Sequence, residues 1–243
     1  MAVHMDVDNL EVNHFFSTPV FIMNDGGHEA HYDAMLKEMY AWRDEDTEEV
    51  VRSNQGGWHS PSTIFKTTRP ELRRICDVMI RCFQTCSLKV APNFKMDAYD
   101  MTGEGWVNIN PISTFNVPHD HPGYTWSGVY YASLPVRADP ESRSGALELL
   151  DPRTNVSAFA TDISKQSAYF SPKRTLSPKN GMIIVFPSYL RHWVYPNEED
   201  EDRITLAFNF KFKPKNETVL AADPNKQKGS KKERQARKQQ KTK

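Results

Sequence analysis

Three of the chain's eight histidines are spaced so that they could share one metal ion. His119 and His121 flank Asp120 in an HDHPG turn, and His192 follows the apolar run MIIVFPSYLR much later in the chain. Residues i and i+2 of an extended segment point to the same side. Two neighbouring imidazoles and one distant imidazole on barrel strands can form a facial metal site that leaves coordination positions open. Surface histidines on loops are the alternative.

An arginine suggests an anion site beside that metal site. Arg203 opens the apolar strand sequence RITLAFNF, where an inward guanidinium is costly unless it pairs with an anion. Its planar fork fits two oxygens of one carboxylate, and Thr205 on the same face can add a hydroxyl donor. One of the adjacent Tyr130 and Tyr131 must also face inward. The pattern therefore predicts a carboxylate site, with an outward surface arginine as the alternative.

The elements that would position these side chains are mostly short strands. After Pro92 the sequence alternates extended runs with turn residues, which is typical of an all-β barrel or sandwich. The predicted runs are Phe94–Tyr99, Trp106–Asn110, Thr114–Pro118, Ser127–Leu134, Ala146–Leu150, Ala168–Ser171, Met182–Pro187 and Arg203–Phe212.

Two helices are predicted before these strands. Residues 28–43 show helical spacing, and a second helix begins near Thr68, with Pro70 in its first turn and an apolar stripe behind it. An interrupted strand is predicted at His14–Met23. The three cysteines fall on the second helix, as expected for buried thiols in a reducing compartment.

The charge distribution divides the chain into a body and a tail. Nine basic residues and one acid lie between Lys226 and Lys243, so the preceding body is acidic although the whole chain has no formal net charge. We expect a domain at 1–222 and a disordered basic tail at 223–243 that can contact nucleic acid weakly or aid solubility. The acidic N-terminus and the lack of a long apolar run predict a cytoplasmic protein without a membrane partner.

Four segments resemble the double-stranded β-helix (jelly-roll or cupin-like) core of the iron(II)/2-oxoglutarate oxygenases, a mainly β fold with N-terminal buttressing helices. They are HDHPGYTWSGVYYASLP, SGALELLDPR, GMIIVFPSYLRHWVYP and RITLAFNF. Within that superfamily the chain is most similar to a group with SNxGGWxS and HxHPxSxxSGVYY segments, here Ser53–Ser60 and His119–Tyr131. The prolyl hydroxylases share the layout at lower similarity.

The resemblance implies a role for each residue. His119 and His192 correspond to metal ligands, Arg203 and Thr205 to the residues that hold the C5 carboxylate of 2-oxoglutarate, and Tyr131 to a tyrosine that reaches the same carboxylate. Further pocket residues that touch cosubstrate or substrate are Trp106, Asn108 and Asn116. The implied cofactors are iron(II), 2-oxoglutarate and O2, with ascorbate as a supporting reductant.

The sequence departs from the family at one position. The usual motif is His-x-Asp/Glu, whereas this chain has His121 in place of the acid and carries Asp120 one residue earlier. Adjacent strand residues face opposite ways, which favours a three-histidine site with Asp120 as the alternative ligand. Three neutral ligands would leave the full 2+ charge on the iron. Asp120 could instead orient an imidazole from outside the ligand set.

The expected activity is hydroxylation of an unactivated C–H bond in a small-molecule or amino-acid-type substrate, with release of succinate and CO2. Two other functions remain open: a three-histidine iron dioxygenase that does not use 2-oxoglutarate, and a non-enzymatic, metal-binding cupin-like module. The sequence leaves the substrate and the oligomeric state undecided, with a homodimer as one alternative.

Overall fold

The computed structural model describes residues 15–46, 50–153, 156 and 168–215. Two long helices precede most of the strands: α1 spans His28–Glu45 and α2 spans Pro70–Val90. The strands are β1 Phe21–Asn24, β2 Asn54–Gln55, β3 Trp58–His59, β4 Tyr99–Asn110, β5 Phe115–His119, β6 Trp126–Ser133, β7 Leu147–Leu150, β8 Lys173–Leu176, β9 Met182–Pro187, β10 His192–Val194 and β11 Arg203–Pro214.

The strands form two antiparallel sheets. A six-stranded sheet has the order β1-β9-β6-β11-β4-β3, and a five-stranded sheet has the order β2-β5-β10-β7-β8. Successive strands from β4 onward mostly cross from one sheet to the other, which is the winding of a jelly roll. The predicted mainly β, double-stranded β-helix fold is confirmed.

The two faces of strand β11 have different surroundings: one packs on the helices and the other faces the space between the sheets. Ile204, Leu206 and Phe208 point toward the helices and belong to the larger apolar core. Arg203 and Thr205 alternate with them and therefore point between the sheets. The interior thus holds the polar side chains, together with a smaller apolar cluster of Tyr131, Leu147, Leu149, Ile184, Phe186 and Leu190.

Helix α2 buttresses the six-stranded sheet, as its apolar stripe predicts. Pro70 occupies the first helical turn, where its missing N–H is not needed. The buried side of the helix consists of Leu72, Ile75, Cys76, Met79, Phe83, Cys86 and Ser87. Burial raises the pKa of the Cys76 and Cys86 thiols to about 12, so both remain protonated at neutral pH.

Several predicted boundaries are wrong. The segment Ala168–Ser171 forms a short 3-10 helix at Ala168–Phe170 instead of a strand, and β8 follows it. The run Phe94–Tyr99 contains another 3-10 turn before β4 begins at Tyr99. Of the strand predicted at His14–Met23, His14 lies outside the described residues, and the described part becomes extended only in β1 at Phe21–Asn24, since Pro19 cannot donate a ladder hydrogen bond.

The division at residue 222 stays a prediction, because the basic tail lies outside the described residues. No helix in the described ranges is both long enough and apolar enough to cross a bilayer. The compartment stays a prediction.

Candidate metal and cosubstrate site

The three predicted histidines meet between the sheets. One ligand atom from each of His119, His121 and His192 lies within 4.8 Å of the others. His119 ends β5 and His192 begins β10, and the two residues are paired across the ladder. His121 lies beyond the end of β5, in the turn, where its backbone N–H donates to the Ser188 carbonyl. The turn, and not an extended strand, brings His121 beside His119.

Backbone carbonyls orient two of these rings. His119 Nδ1 lies 2.7 Å from the Val117 oxygen, and His192 Nδ1 lies 2.9 Å from the Leu190 oxygen. A carbonyl can only accept, so each Nδ1 carries the hydrogen and each Nε2 keeps a lone pair for a metal. Burial lowers the pKa of His192 to about 3 and that of His121 to about 4. Both rings are therefore neutral at neutral pH, the form that binds metal.

Asp120 is placed differently. Its side chain is exposed and is outside the group of ligand atoms. Burial lowers the pKa of His119, and this effect is partly offset by the hydrogen bond to the Val117 carbonyl and, to a smaller extent, by the charge of Asp120. This geometry supports His121 over Asp120 as the third ligand, while the assignment itself stays a prediction.

Arg203 is a buried cation on the same cavity. Its side chain is 3% exposed, its Nε donates to the Gly145 carbonyl at 3.0 Å, and its Nη1 lies 3.4 Å from the Thr205 hydroxyl. Burial lowers its pKa. In the described part of the chain, no carboxylate pairs with it. A buried arginine without an acidic partner is expected to bind an anionic ligand.

A layer of polar groups adjoins this arginine. Thr205 is paired with Asn108 on β4 and with Tyr131 on β6, so all three side chains point into the cavity. The Asn108 Oδ1 and the Tyr131 hydroxyl are buried without a well-formed hydrogen bond among the described residues. Burial raises the Tyr131 pKa to about 12, and the nearby Arg203 charge partly offsets that effect. Unsatisfied polar groups around a cation are what a dicarboxylate ligand would complete.

Trp106 and Asn116 also line the cavity, as predicted. The Trp106 ring centroid lies 6.0 Å from that of His121, and Asn116 Nδ2 donates to the Ser53 hydroxyl at 3.3 Å. The histidines and Arg203 line the same cavity, so the donor set fits a metal ion together with an anionic ligand such as 2-oxoglutarate. The role of each residue stays a prediction.

Two residues near the site were not predicted to contribute to it. Gly145 has a positive φ of 61° and lies against the Arg203 side chain. His59 is buried and stacks on Trp106 with centroids 5.1 Å apart, where burial lowers its pKa. The glycine in SGALELL was a usable turn signal, whereas the stacking of His59 depends on strand pairing that spacing does not encode.

The sequence and the fold match known proteins. Residues 104–209 match the model of the putative 2OG-Fe(II) oxygenase family. No curated protein sequence matches significantly. Similar solved structures include a Pseudomonas putida prolyl-4-hydroxylase, with 14% identity, a TM-score of 0.52, and coverage of 80% of this chain and 93% of that one.

Two further structures share the fold. A Trichoplax adhaerens prolyl hydroxylase, solved with a peptide fragment of hypoxia inducible factor, has 12% identity, a TM-score of 0.55, and coverage of 84% of this chain and 87% of that one. The carbocyclase SnoK from nogalamycin biosynthesis has 10% identity, a TM-score of 0.53, and coverage of 85% and 87%. At these identities the likeness establishes the fold. The family match covers 106 of the 243 residues and spans His119, His121, His192 and Arg203, so over this region the chain is similar to oxygenases of the iron(II)/2-oxoglutarate type.

Proposed function

We propose that the protein uses iron(II), 2-oxoglutarate and O2 to hydroxylate an unactivated C–H bond of a small-molecule or amino-acid-type substrate, releasing succinate and CO2. The observation that carries the proposal is the buried guanidinium of Arg203, which has no acidic partner in the described residues and faces the cavity of the three histidines. A metal-binding module without a cosubstrate would have no use for this costly cation.

In this proposal His119, His121 and His192 hold the metal through Nε2 or an equivalent lone pair. Arg203 and Thr205 bind the distal carboxylate of the cosubstrate, and the Tyr131 hydroxyl donates to the same group. Iron with bound 2-oxoglutarate supplies the oxidising chemistry, because decarboxylation of the cosubstrate provides electrons for the reduction of O2.

The protein orients the metal-binding imidazole rings and covers the metal site with an apolar side chain. The Val117 and Leu190 carbonyls fix two imidazole rings before any metal binds. Phe186 packs against His192 with centroids 4.8 Å apart and covers one side of the site. Because the three ligands are neutral, the charge of the metal must be offset by the anionic cosubstrate or substrate. We therefore expect metal and 2-oxoglutarate to bind cooperatively.

The test compares 2-oxoglutarate consumption, succinate formation and O2 uptake by the iron-loaded protein with those of Arg203→Ala. The matched control is Arg137→Ala, which removes an arginine whose side chain bonds, among the described residues, to the Ser142 carbonyl and the Ser177 hydroxyl. We expect succinate formation in the wild type and the control, and its loss in Arg203→Ala. Equal O2 uptake without 2-oxoglutarate would instead support a three-histidine dioxygenase. Iron binding without turnover of 2-oxoglutarate would support a cupin-like binding module.

The remaining partner assignments are also proposals. We propose weak contact of the basic tail with nucleic acid through phosphates, supported by its nine positive charges. Deletion of residues 224–243 should abolish salt-dependent RNA binding without changing succinate formation. RNA binding that survives the deletion would contradict this proposal.

A further inference from the structure

A second cavity shares its wall with residues that neighbour His192, because Leu149 pairs with His192 across the strands and the Leu190 carbonyl contacts its ring. It has a volume of about 600 Å³ and lies between the edge strand β1 of one sheet and the edge strand β8 of the other. Its wall is mainly aliphatic and includes Val20, Ile22, Leu149, Leu176 and Leu190. This volume falls in the range of small-molecule sites, so the cavity is large enough for a substrate.

This second cavity, called the apolar groove below, is connected to the metal site through the register of the strands. His119 pairs with His192, His192 pairs with Leu149, and Leu149 pairs with Arg174, in one row across four neighbouring strands. Paired residues of antiparallel strands point to the same face, and neighbouring strands are about 4.8 Å apart. The side chain of Leu190 lines the groove, and its carbonyl orients His192. The groove therefore begins one strand away from a predicted ligand.

Strand β8 contributes two cations to the lining of the groove, Lys173 and Arg174, and their side chains point to opposite faces of the sheet. Lys173 and Thr175 both bond to Glu148 on the outer face of the sheet, at 3.1 and 2.9 Å. By alternation Arg174 and Leu176 point to the inner face, and both line the groove.

The other arginine of the groove is engaged. Arg153 is bound to Asp151 at 2.7 Å. The side chain of Arg174 makes no ion pair or hydrogen bond with the described residues, so its guanidinium is available to a ligand.

We propose that this groove binds the primary substrate, an organic anion with an aliphatic or aromatic body whose acidic group pairs with Arg174. This inference rests on the proposed oxygenase function and specifies its substrate class. The apolar walls receive the body, and the unpaired arginine receives the charge. Since Arg174 is two strands from His192, about 10 Å separates their backbones. The bond that is oxidised is therefore several carbons away from the acidic group.

The experiment is a calorimetric titration of the full-length protein, without added metal or 2-oxoglutarate, with octanoate and with octylammonium. We expect octanoate to bind and octylammonium to bind at least tenfold more weakly. Arg174→Gln should weaken octanoate binding at least tenfold, while Arg174→Lys retains most of it. Lys179→Gln makes the same charge change on an exposed turn outside the groove and should leave binding unchanged.

A second variant tests the apolar part. Ile22→Trp places a larger side chain on the groove wall at a half-exposed position, so we expect it to block octanoate while leaving the melting temperature nearly unchanged. Equal binding of octanoate and octylammonium, or unchanged binding in Arg174→Gln, would overturn the proposal.

Binding of 2-oxoglutarate to the iron-loaded protein separates this inference from the proposed function. Wild type and Arg174→Gln should bind the cosubstrate equally, because Arg174 is not part of the Arg203 cavity. If 2-oxoglutarate binds and octanoate does not, the groove assignment fails alone. If octanoate binds through Arg174 and 2-oxoglutarate does not bind, the oxygenase proposal fails instead.

Discussion

The guanidinium of Arg203 lies against the ring of Tyr131, with Cζ 5.5 Å from the ring centroid. Both side chains are buried on the inner face of the six-stranded sheet. The Tyr131 hydroxyl makes no well-formed hydrogen bond within the described residues, whereas the adjacent Tyr130 hydroxyl bonds to Asp25 at 2.9 Å and lies 3.0 Å from His28 Nδ1. The Tyr130 hydroxyl thus takes part in the hydrogen bonding of the folded protein, whereas the Tyr131 hydroxyl is free to bond to a ligand beside Arg203.

Replacement of Tyr131 by phenylalanine should affect cosubstrate affinity, whereas replacement of Tyr130 should affect stability. Tyr131→Phe should weaken 2-oxoglutarate binding about 2- to 12-fold, which corresponds to the loss of one hydrogen bond of roughly 0.5–1.5 kcal/mol, without lowering the melting temperature. Tyr130→Phe should cost about 1–3 kcal/mol of stability, because it leaves buried partners unsatisfied, and should not change cosubstrate affinity. Calorimetry and thermal unfolding measure the two effects. A destabilised Tyr131→Phe would show that its hydroxyl is already bonded in the free protein.

The identity of the third ligand can be tested with two neighbouring variants. His121→Ala should lower iron(II) affinity by at least about 100-fold, because it removes one of three ligands, whereas Asp120→Ala should change it by no more than about tenfold. Competition with a chelator measures both affinities. The reverse ranking would show that the turn rearranges to bring Asp120 to the metal.

Gly145 offers a test of how the arginine is held. A Cβ at this position would lie 2.9 Å from Arg203 Cδ and 3.2 Å from its Nε, on a backbone with a φ of 61°. Gly145→Ala should therefore displace the guanidinium and weaken 2-oxoglutarate binding more than tenfold. Gly123→Ala is the control, because its φ is 87° but no atom lies within 4 Å of its added Cβ. Equal cosubstrate affinity in the two variants would show that backbone strain alone matters.

Glu148 provides a prediction for pH dependence. Burial raises its pKa, but hydrogen bonds from Trp193, Tyr195, Lys173 and Thr175 outweigh this effect, so the net pKa is below the ordinary value of 4.5. A lowered folded-state pKa stabilises the protein above the unfolded-state value, and this stabilisation is lost as the pH falls through the folded pKa.

Glu148→Gln should accordingly lower the unfolding free energy by about 1–3 kcal/mol at neutral pH. The difference from wild type should shrink as the pH drops below 4.5, the ordinary carboxyl value. Denaturant unfolding at several pH values measures it, with the exposed Glu141→Gln as a control. A difference that does not change with pH would show that the negative charge of Glu148 does not stabilise its hydrogen-bonded cluster with Trp193, Tyr195, Lys173 and Thr175.

The sequence was informative where side-chain chemistry was unusual. Arg203 could be placed inside because a charged residue opens an otherwise apolar strand, and the pairing of His119 with His192 follows from the strand ends that carry them. Both faces of β11 are buried, so alternation alone could not have decided which face holds the site.

Other features depend on contacts that spacing does not encode. The KRTL segment of β8 is mostly exposed and has no apolar alternation, so apolar content favours a strand at the neighbouring Ala168–Ser171 instead. The apolar groove is formed by β1 and β8, which are distant in sequence and lie on different sheets. His121 reaches the site through a turn, where strand alternation no longer applies.

Because β11 packs on the helices with one face and lines the site with the other, tolerance to substitution along it should alternate from one residue to the next. Changes at Ile204, Leu206 and Phe208 would lower the amount of folded protein in a cell, since they leave cavities in the core. Changes at Arg203 and Thr205 would leave abundance nearly intact and remove turnover. A mutational scan that scores abundance and activity separately would therefore distinguish the structural residues of this strand from its chemical ones.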